Sequence, residues 1–288
     1  MIDFKREKLW WEHKAHKEEQ DREDEAINRA LRWHEIEKRL DGVSTILDIG
    51  GATGAFSIPL AQRGFQVTHF DIAPAMLQIA REKAQRLTNI EFVEGNAIDL
   101  SRYADNSFDL VLNMDGAISF CGEAAERAIQ EACRVTKSKL IIAVSHRGRM
   151  IPSWVDTTIQ ALDRFSKATD EMVYQGRWHQ EQYSENALLS KGATDDYLGA
   201  INAFVPKQLK QILERIGMQV LRCGGLGSLA SQCRPETIRR IIEKKELLEK
   251  FLEICEYYDR EVLEEGPGTR QRAGLIAVAE KVKTCRPT

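Results

Sequence analysis

Between residues 44 and 145, short apolar segments alternate with amphipathic ones five times, and this rhythm leaves few folds open. The apolar segments are STILDI (44–49), QVTHFD (66–71), IEFVE (90–94), FDLVLN (108–113) and KLIIAVS (139–145). Their length and their β-branched and aromatic content suit strands. Between them, PAMLQIAREKAQRL (74–87) sets Met76, Ala80, Ala84 and Leu87 on one helical face, and Pro74 suits a first helical turn. EAAERAIQEACRV (123–135) does the same with Ala125, Ala128, Ile129, Ala132 and Cys133. Repeated strand–helix units of this kind predict an α/β fold with a doubly wound, mostly parallel sheet covered on both faces.

The flanks complete the plan. Residues 4–40 are highly charged, with Ala26, Ile27, Ala30, Leu31, His34 and Ile36 at helical spacing, and Asp41-Gly42 closes them. Residues 147–200 break the rhythm and are rich in aromatic and polar side chains, among them Trp154, Phe165, Tyr174, Trp178, His179, Tyr183 and Tyr197. So long an irregular stretch predicts a partly helical cover over a site. A helix over 206–216 ended by Gly217, a strand at 218–223, a long charged helix over about 235–264 and a last strand at 273–281 follow. The two late strands predict an antiparallel edge hairpin, bringing the sheet to seven strands. The expected division is an N-terminal helical cap (1–42), a nucleotide-binding core (43–146), a substrate-covering insert (147–202) and the C-terminal part of the core (203–288).

Composition excludes more than it selects. The 288 residues carry a formal net charge of −3, which gives no overall basic field for nucleic acid. No apolar run has the length of a membrane span, and the N-terminus, MIDFKREKLWWEHK, has no signal-peptide core. The six cysteines form no Cys-x-x-Cys pair and read as reduced thiols of a cytoplasmic protein.

The chemistry concentrates at ILDIGGATGAF (46–56), a strand running into a glycine-rich turn and a helix. A dinucleotide fingerprint fails in both phases. Counting from Gly50 puts Ala52 and Ala55 at the later glycine positions, and counting from Gly51 puts Thr53 and Phe56 there. No Gly-Lys-Ser/Thr follows, so a P-loop fails too. Asp48, at the strand end, would repel a pyrophosphate and favour a ligand carrying positive charge. S-adenosylmethionine has an ammonium, a sulfonium, a ribose and an adenine, and no phosphate. Gly50, Gly51 and Gly54 let the backbone pass close to such a ligand. Asp71 ends the next strand about 20 residues on, where an acidic side chain can accept both ribose hydroxyls. Its alternative role is to cap the helix at 74–87. Asn96, after the third strand, can bond the adenine edge, with Ala97 adding a backbone contact. Asn113 to Asp115 end the fourth strand, beside the expected methyl group.

The order ILDIGGATG, HFDIAPAML, VEGNA, FDLVLNMDGAI resembles the class I S-adenosylmethionine-dependent methyltransferases over roughly 44–145, and the likeness resumes at 203–223 and at GLIAVAEK. The resemblance implies a Rossmann-like methyltransferase fold with S-adenosyl-L-methionine as cofactor and S-adenosyl-L-homocysteine as product. It puts Asp48, Gly50, Gly51 and Gly54 on the methionine and ribose side, Asp71 on the ribose, and Ile72 and Met76 near the adenine. Asn96 and Ala97 would read the adenine edge, and Asn113 would lie near the methionine moiety. Three positions depart from the family: Ala52 replaces the middle glycine, Asn96 replaces the usual aspartate, and TKSK (136–139) replaces a Gly-Gly turn.

Methyl transfer is an in-line displacement in which orientation supplies most of the acceleration, and a base is needed only for a protonated nucleophile. Asp115 and His146 are the catalytic candidates, against a turn residue and a structural histidine. Trp178, His179 and Tyr183 are candidates for a substrate wall, against burial in the insert's own core. Trp10 and Trp11 are placed to cover the cofactor cleft. His13 and His16, with Glu12, lack a third ligand, so no metal is expected. No Asn-Pro-Pro-Tyr or Pro-Cys motif appears, so a small-molecule acceptor leads, with no membrane partner expected and nucleic acid kept open as the rival. The helical layout also resembles tRNA wobble-uridine carboxymethyl-modifying methyltransferases. Arg147, Arg149, Arg239, Arg240, Lys244 and Lys245 could then touch phosphate, although Glu243 and Glu246 are interleaved with them. A non-catalytic S-adenosylmethionine-binding module is the third reading. A nicotinamide oxidoreductase conflicts with Asp48.

Overall fold

A computed structural model describes residues 2–15, 23–114, 116–162, 165, 167–178, 200–263 and 274–282. The elements in chain order are α1 (Phe4–Lys14), α2 (Glu23–Glu37), β1 (Thr45–Ile49), α3 (Ser57–Gln62), β2 (Gln66–Asp71), α4 (Pro74–Lys83), β3 (Ile90–Glu94), β4 (Phe108–Asn113), α5 (Ala125–Val135), β5 (Thr136–Val144) and α6 (Arg147–Leu162). Then come β6 (Arg177–Trp178), β7 (Ile201–Asn202), α7 (Pro206–Arg215), β8 (Met218–Gly225), α8 (Pro235–Ile242), α9 (Lys245–Tyr257) and β9 (Leu275–Lys281).

Seven strands form one sheet in the order β3-β2-β1-β4-β5-β9-β8. The first five are parallel, and β9 runs antiparallel to both its neighbours. This is the expected doubly wound, mostly parallel sheet with its late hairpin. Side chains alternate between the two faces of a strand, so a strand covered twice must be apolar throughout. Leu47, Ile49, Val111, Leu140 and Ile142 pack towards α5 and α7, with Ala128, Ile129, Leu209 and Leu213. Ile46, Leu110, Leu112, Ile141 and Val278 face the other way, towards Ile27 and Leu31 of α2 and Phe251 and Cys255 of α9.

Two expectations need correcting. First, β5 starts at Thr136, not at 139, because α5 runs straight into it. The Thr136 hydroxyl donates to the Ala132 carbonyl at 2.7 Å and satisfies the helix end. No Gly-Gly turn is required, which accounts for TKSK. Second, the long helix over 235–264 is two helices broken at Lys244, whose backbone is extended (φ −124°, ψ 110°). The break lets Ile238 of α8 and Phe251, Leu252 and Cys255 of α9 bury in one cluster with α2. Past α9, a turn carries Asp259 back inward, where its carboxylate accepts from the Gly227 and Ser228 amides at 2.6 and 3.1 Å.

The same side of the sheet is stapled by a buried charge. Glu35 of α2 is fully buried and pairs with Arg39 at 2.7 Å, with Arg260 at 2.8 Å and with Arg222 of β8. Burial alone would raise its pKa, but Arg222, Arg39 and Lys38 outweigh that and hold it below the ordinary value. Removing the buried Glu35 charge leaves the partly buried Arg39 and Arg222 without a counter-charge. Glu35→Gln is expected to cost about 3 kcal/mol of unfolding free energy, read by urea denaturation. A loss under about 0.5 kcal/mol would show the cluster to be energetically neutral.

Beyond β5, β6 and β7 pair antiparallel, Arg177 with Asn202 and Trp178 with Ile201. Phe120, Trp154, Met172, Ile201 and Ala203 form a small core under this ribbon. No described helix is long and apolar enough to cross a membrane.

Candidate functional site

The site forms where β1 and β2 end. The Gly50 and Gly51 amides both donate to the Phe70 carbonyl of β2, at 2.7 and 3.2 Å, which folds the turn back over the strand ends. Gly50 has φ +69°, and a Cβ there would stand 2.3 Å from the Ala117 side chain. Ala52 takes φ 47°, a left-handed conformation that a side chain resists, and it is held there by a bond. Its amide donates to Asp71 Oδ2 at 3.0 Å. Asp71 Oδ1 accepts from the Ala73 amide at 2.8 Å. Asp71 therefore does not cap α4, whose N-cap residue is Ala73. It ties two loops together, one carboxylate oxygen bonding each.

His69 lies beneath the turn with no exposed surface. Its Nε2 bonds the Ala52 carbonyl at 3.1 Å, and its Nδ1 faces Ser57 Oγ at 2.6 Å. A carbonyl only accepts, so Nε2 carries the hydrogen and the Ser57 hydroxyl donates to Nδ1. Burial lowers the His69 pKa to about 4, so the ring is neutral at pH 7.

Above the turn is a cavity of about 70 Å³. Gly50, Asp71, Ile72, Met76, Asn96 and Ala97 of the expected cofactor set stand on its wall. Asp48, Gly51, Gly54 and Asn113 do not. Asp48 is buried, and its Oδ2 would lie 3.1 Å from a Cβ on Gly51. Asn113 braces the strand ends, donating from Nδ2 to the Ile49 carbonyl at 2.7 Å and accepting from the Ile118 amide at 3.4 Å. Asn96 Oδ1 accepts from the Ile98 amide at 3.1 Å and shapes the loop after β3.

His146 follows β5, is 5% exposed and does not line the cavity. Neither of its ring nitrogens has a hydrogen-bond partner among the described residues, and burial lowers its pKa to about 4. Trp178 sits in β6; Asp115, His179, Tyr183 and His16 lie outside the described residues. His13 bonds the Leu9 carbonyl at 2.8 Å, and no metal-binding group of three side chains occurs among the described residues.

The roof escaped sequence reasoning in part. Phe4, Glu7 and Trp11 of α1 line the cavity, opposite Phe120 and Cys121. Trp11 meets Phe120 edge-on at 4.8 Å and Trp10 at 4.6 Å. Glu7 is buried, and its Oε1 accepts from the Ala200 amide at 2.7 Å, joining α1 to the end of the insert. The Trp10-Trp11 pair was a visible signal for this helix, but Glu7 had none. The described lining contains two carboxylates, Asp71 and Glu7, and no cationic side chain. Such a wall suits a ligand carrying positive charge.

Comparisons with known proteins agree with this geometry. The profile of a family described as methyltransferase domain matches residues 46–139. A demethylmenaquinone methyltransferase of Tropheryma whipplei is 40% identical over 83 residues, 28% of this chain and 34% of that one. A protein of the same name from Paenarthrobacter aurescens is 30% identical over 188 residues, 59% of this chain and 71% of that one. The chain thus spans about a third of the first of these curated relatives and more of the second. Among solved structures, an S-adenosylmethionine-dependent methyltransferase from Mesorhizobium loti superposes with a TM-score of 0.54 at 17% identity, covering 88% of this chain and 100% of that one. That last likeness is one of fold.

Proposed function

Because the chain belongs to the class I S-adenosylmethionine-dependent methyltransferases, we propose that it moves a methyl group from S-adenosylmethionine to a small-molecule acceptor. The observation that carries this reading is the cavity at the carboxyl ends of β1 and β2, whose described lining holds two carboxylates and no cation. Ligands of open α/β sheets bind at such strand ends. When bound, the cofactor supplies an electrophilic methyl group on a sulfonium, and S-adenosylhomocysteine is left behind.

The chain's own residues then have binding and orienting tasks. Asp71 accepts the ribose hydroxyls, Ile72 and Met76 pack against the adenine, and Asn96 with Ala97 reads its edge. Gly50 and Ala52 bring backbone close to the methionine end, with Asp48, Gly51, Gly54 and Asn113 supporting the turn. For an acceptor that carries a proton into the reaction, Asp115 and His146 are the candidate bases; His146 lies off the cavity wall and its lowered pKa makes it a weak one. The insert over 147–202 covers the acceptor, with Trp178, His179 and Tyr183 as its wall. Relatives named for demethylmenaquinone favour a small acceptor over a nucleic acid. The described cysteines are all free thiols, in keeping with a reducing cytoplasm.

Calorimetric titration with S-adenosylhomocysteine, with NADH as control, tests the cofactor. Saturable binding of the first alone is the expected result, and binding of neither removes the reading. Transfer from methyl-labelled S-adenosylmethionine to a panel of small acceptors, with bulk tRNA beside them, then tests the acceptor class. Label in tRNA alone would reverse the choice, and label nowhere would leave a binding module.

A further inference from the structure

The described residues hold a second concavity outside the cofactor cavity. An open groove of about 490 Å³ lies between the start of α6, the turn over Glu171–Gln175, β6 and the start of α7. Arg147, Arg177 and Lys207 line it, along with the amide side chains of Gln175, Gln208 and Gln211. No carboxylate lines it among the described residues, and none of the three cations has an ion-pair partner there.

The arginine at its floor is built in. Arg147 Nη2 donates to the Gln175 carbonyl at 3.1 Å and to Gln208 Oε1 at 3.0 Å, and Nη1 reaches the Tyr174 carbonyl at 3.5 Å. All three acceptors are neutral, so the guanidinium is positioned but not neutralised. Gly176 makes room for it. That residue has φ +71°, and a Cβ there would stand 2.1 Å from the Ala203 carbonyl and 2.6 Å from Arg147 Nε. Burial and the neighbouring Arg177 charge both disfavour the Arg147 cation and lower its pKa. Two helices of 16 and 10 residues, α6 and α7, begin at the groove, and neither has an acidic side chain in its first turn. Helix N-termini add partial positive charge to the same place. The groove is separate from the methyl site: no residue lines both, and the segment 200–204 stands between them, bonded to Glu7 at Ala200 and to Gly176 at Ala203.

We propose that this groove binds an oxyanion, the carboxylate or phosphate of a small molecule, held by Arg147, Arg177 and Lys207. The shared chemistry has two sources: an anionic arm of the methyl acceptor, or a separate anionic effector. The proposal stands whether or not the chain transfers methyl groups.

Inorganic phosphate is the probe, titrated calorimetrically into the full chain at constant ionic strength set with chloride, since exposed cations are screened by salt. Saturable binding is expected, weakened at least tenfold in the double variant Arg177→Gln/Lys207→Gln, with S-adenosylhomocysteine affinity within twofold of wild type. Both substituted side chains are exposed, so the fold should hold. No saturation, or equal phosphate affinity in the double variant, overturns the site. Should the double variant also lose S-adenosylhomocysteine, Gln211→Glu decides, because it sets a carboxylate in the groove from an exposed position. Weakened phosphate binding there supports the site, and unchanged binding overturns it. Given a confirmed site, phosphate that raises the acceptor KM at constant kcat identifies an arm of the acceptor; phosphate that changes kcat at constant KM identifies an effector.

Discussion

Asp71→Ala is expected to lower S-adenosylhomocysteine affinity about a thousandfold, equivalent to about 4 kcal/mol. On the proposed reading one carboxylate has two tasks, and the substitution removes both. It takes away the acceptor for the ribose hydroxyls, and it releases the amides of Ala52 and Ala73, which lie 3.0 and 2.8 Å from the two oxygens. Hydrogen bonds to a charged group are worth about 1.5–3 kcal/mol each. Ala52 is held at φ 47° by one of them, so without it the turn relaxes out of the shape that admits the ligand. Asp71→Asn keeps one acceptor oxygen and loses the charge, and is expected to cost about 10–100-fold. Calorimetry on the three proteins at one ionic strength checks this order. If Asp71→Ala binds within threefold of wild type, Asp71 is a loop staple and not a ligand.

Between pH 6.5 and pH 4 the protein is expected to lose about 6 kcal/mol of stability, chiefly from His69 and His146. Both are buried, and burial lowers both pKa values from 6.5 to about 4. In that window the unfolded chain binds protons that the folded chain refuses, so stability rises with pH. It is complete above about 6.5 and is lost as pH falls towards 4, at about 3 kcal/mol for each ring. Protonating His69 also puts a hydrogen on Nδ1, where it now accepts from Ser57, and so loosens the support of the Ala52 turn. The carboxylates act lower. Asp109, bonded by Lys137 and by the Thr45 and Ser44 amides, is held at about 2, so its contribution is present above 3.8 and lost as pH falls through 2. Urea denaturation across pH 4.5–7.5 measures the slope, and His69→Gln/His146→Gln should flatten it. A wild-type profile already flat over that range would mean both rings charge freely in the fold.

Much of this molecule is legible in one dimension because its physics is local. The strands at 66–71, 90–94 and 108–113 coincide with β2, β3 and β4, since an apolar run closed by turn residues has no better use than a doubly covered strand. Asp71 could be picked out because strand and turn lengths alone bring the ends of β1 and β2 side by side, with Asp48 paired to His69. Other features depend on distance along the chain. The apolar spacing at 235–264 runs on through Lys244, and only packing of both halves on α2 breaks the helix there. Glu35 collects two of its three arginines from 187 and 225 residues away.

The alternation of residues 44–145 by itself determined a parallel, doubly wound core, and the failed glycine fingerprints spoke against a dinucleotide as its ligand. Only the tertiary structure decided which of those residues reach the cavity and what closes it. It turned Asp48 and Asn113 behind the wall, and it brought Glu7 and Trp11 onto the roof. The reason is physical. Hydrogen bonding and side-chain alternation act between neighbours and leave a periodic trace, whereas the docking of α1 depends on Glu123 and Ala200, 121 and 193 residues from their partners, and contacts at that separation leave none.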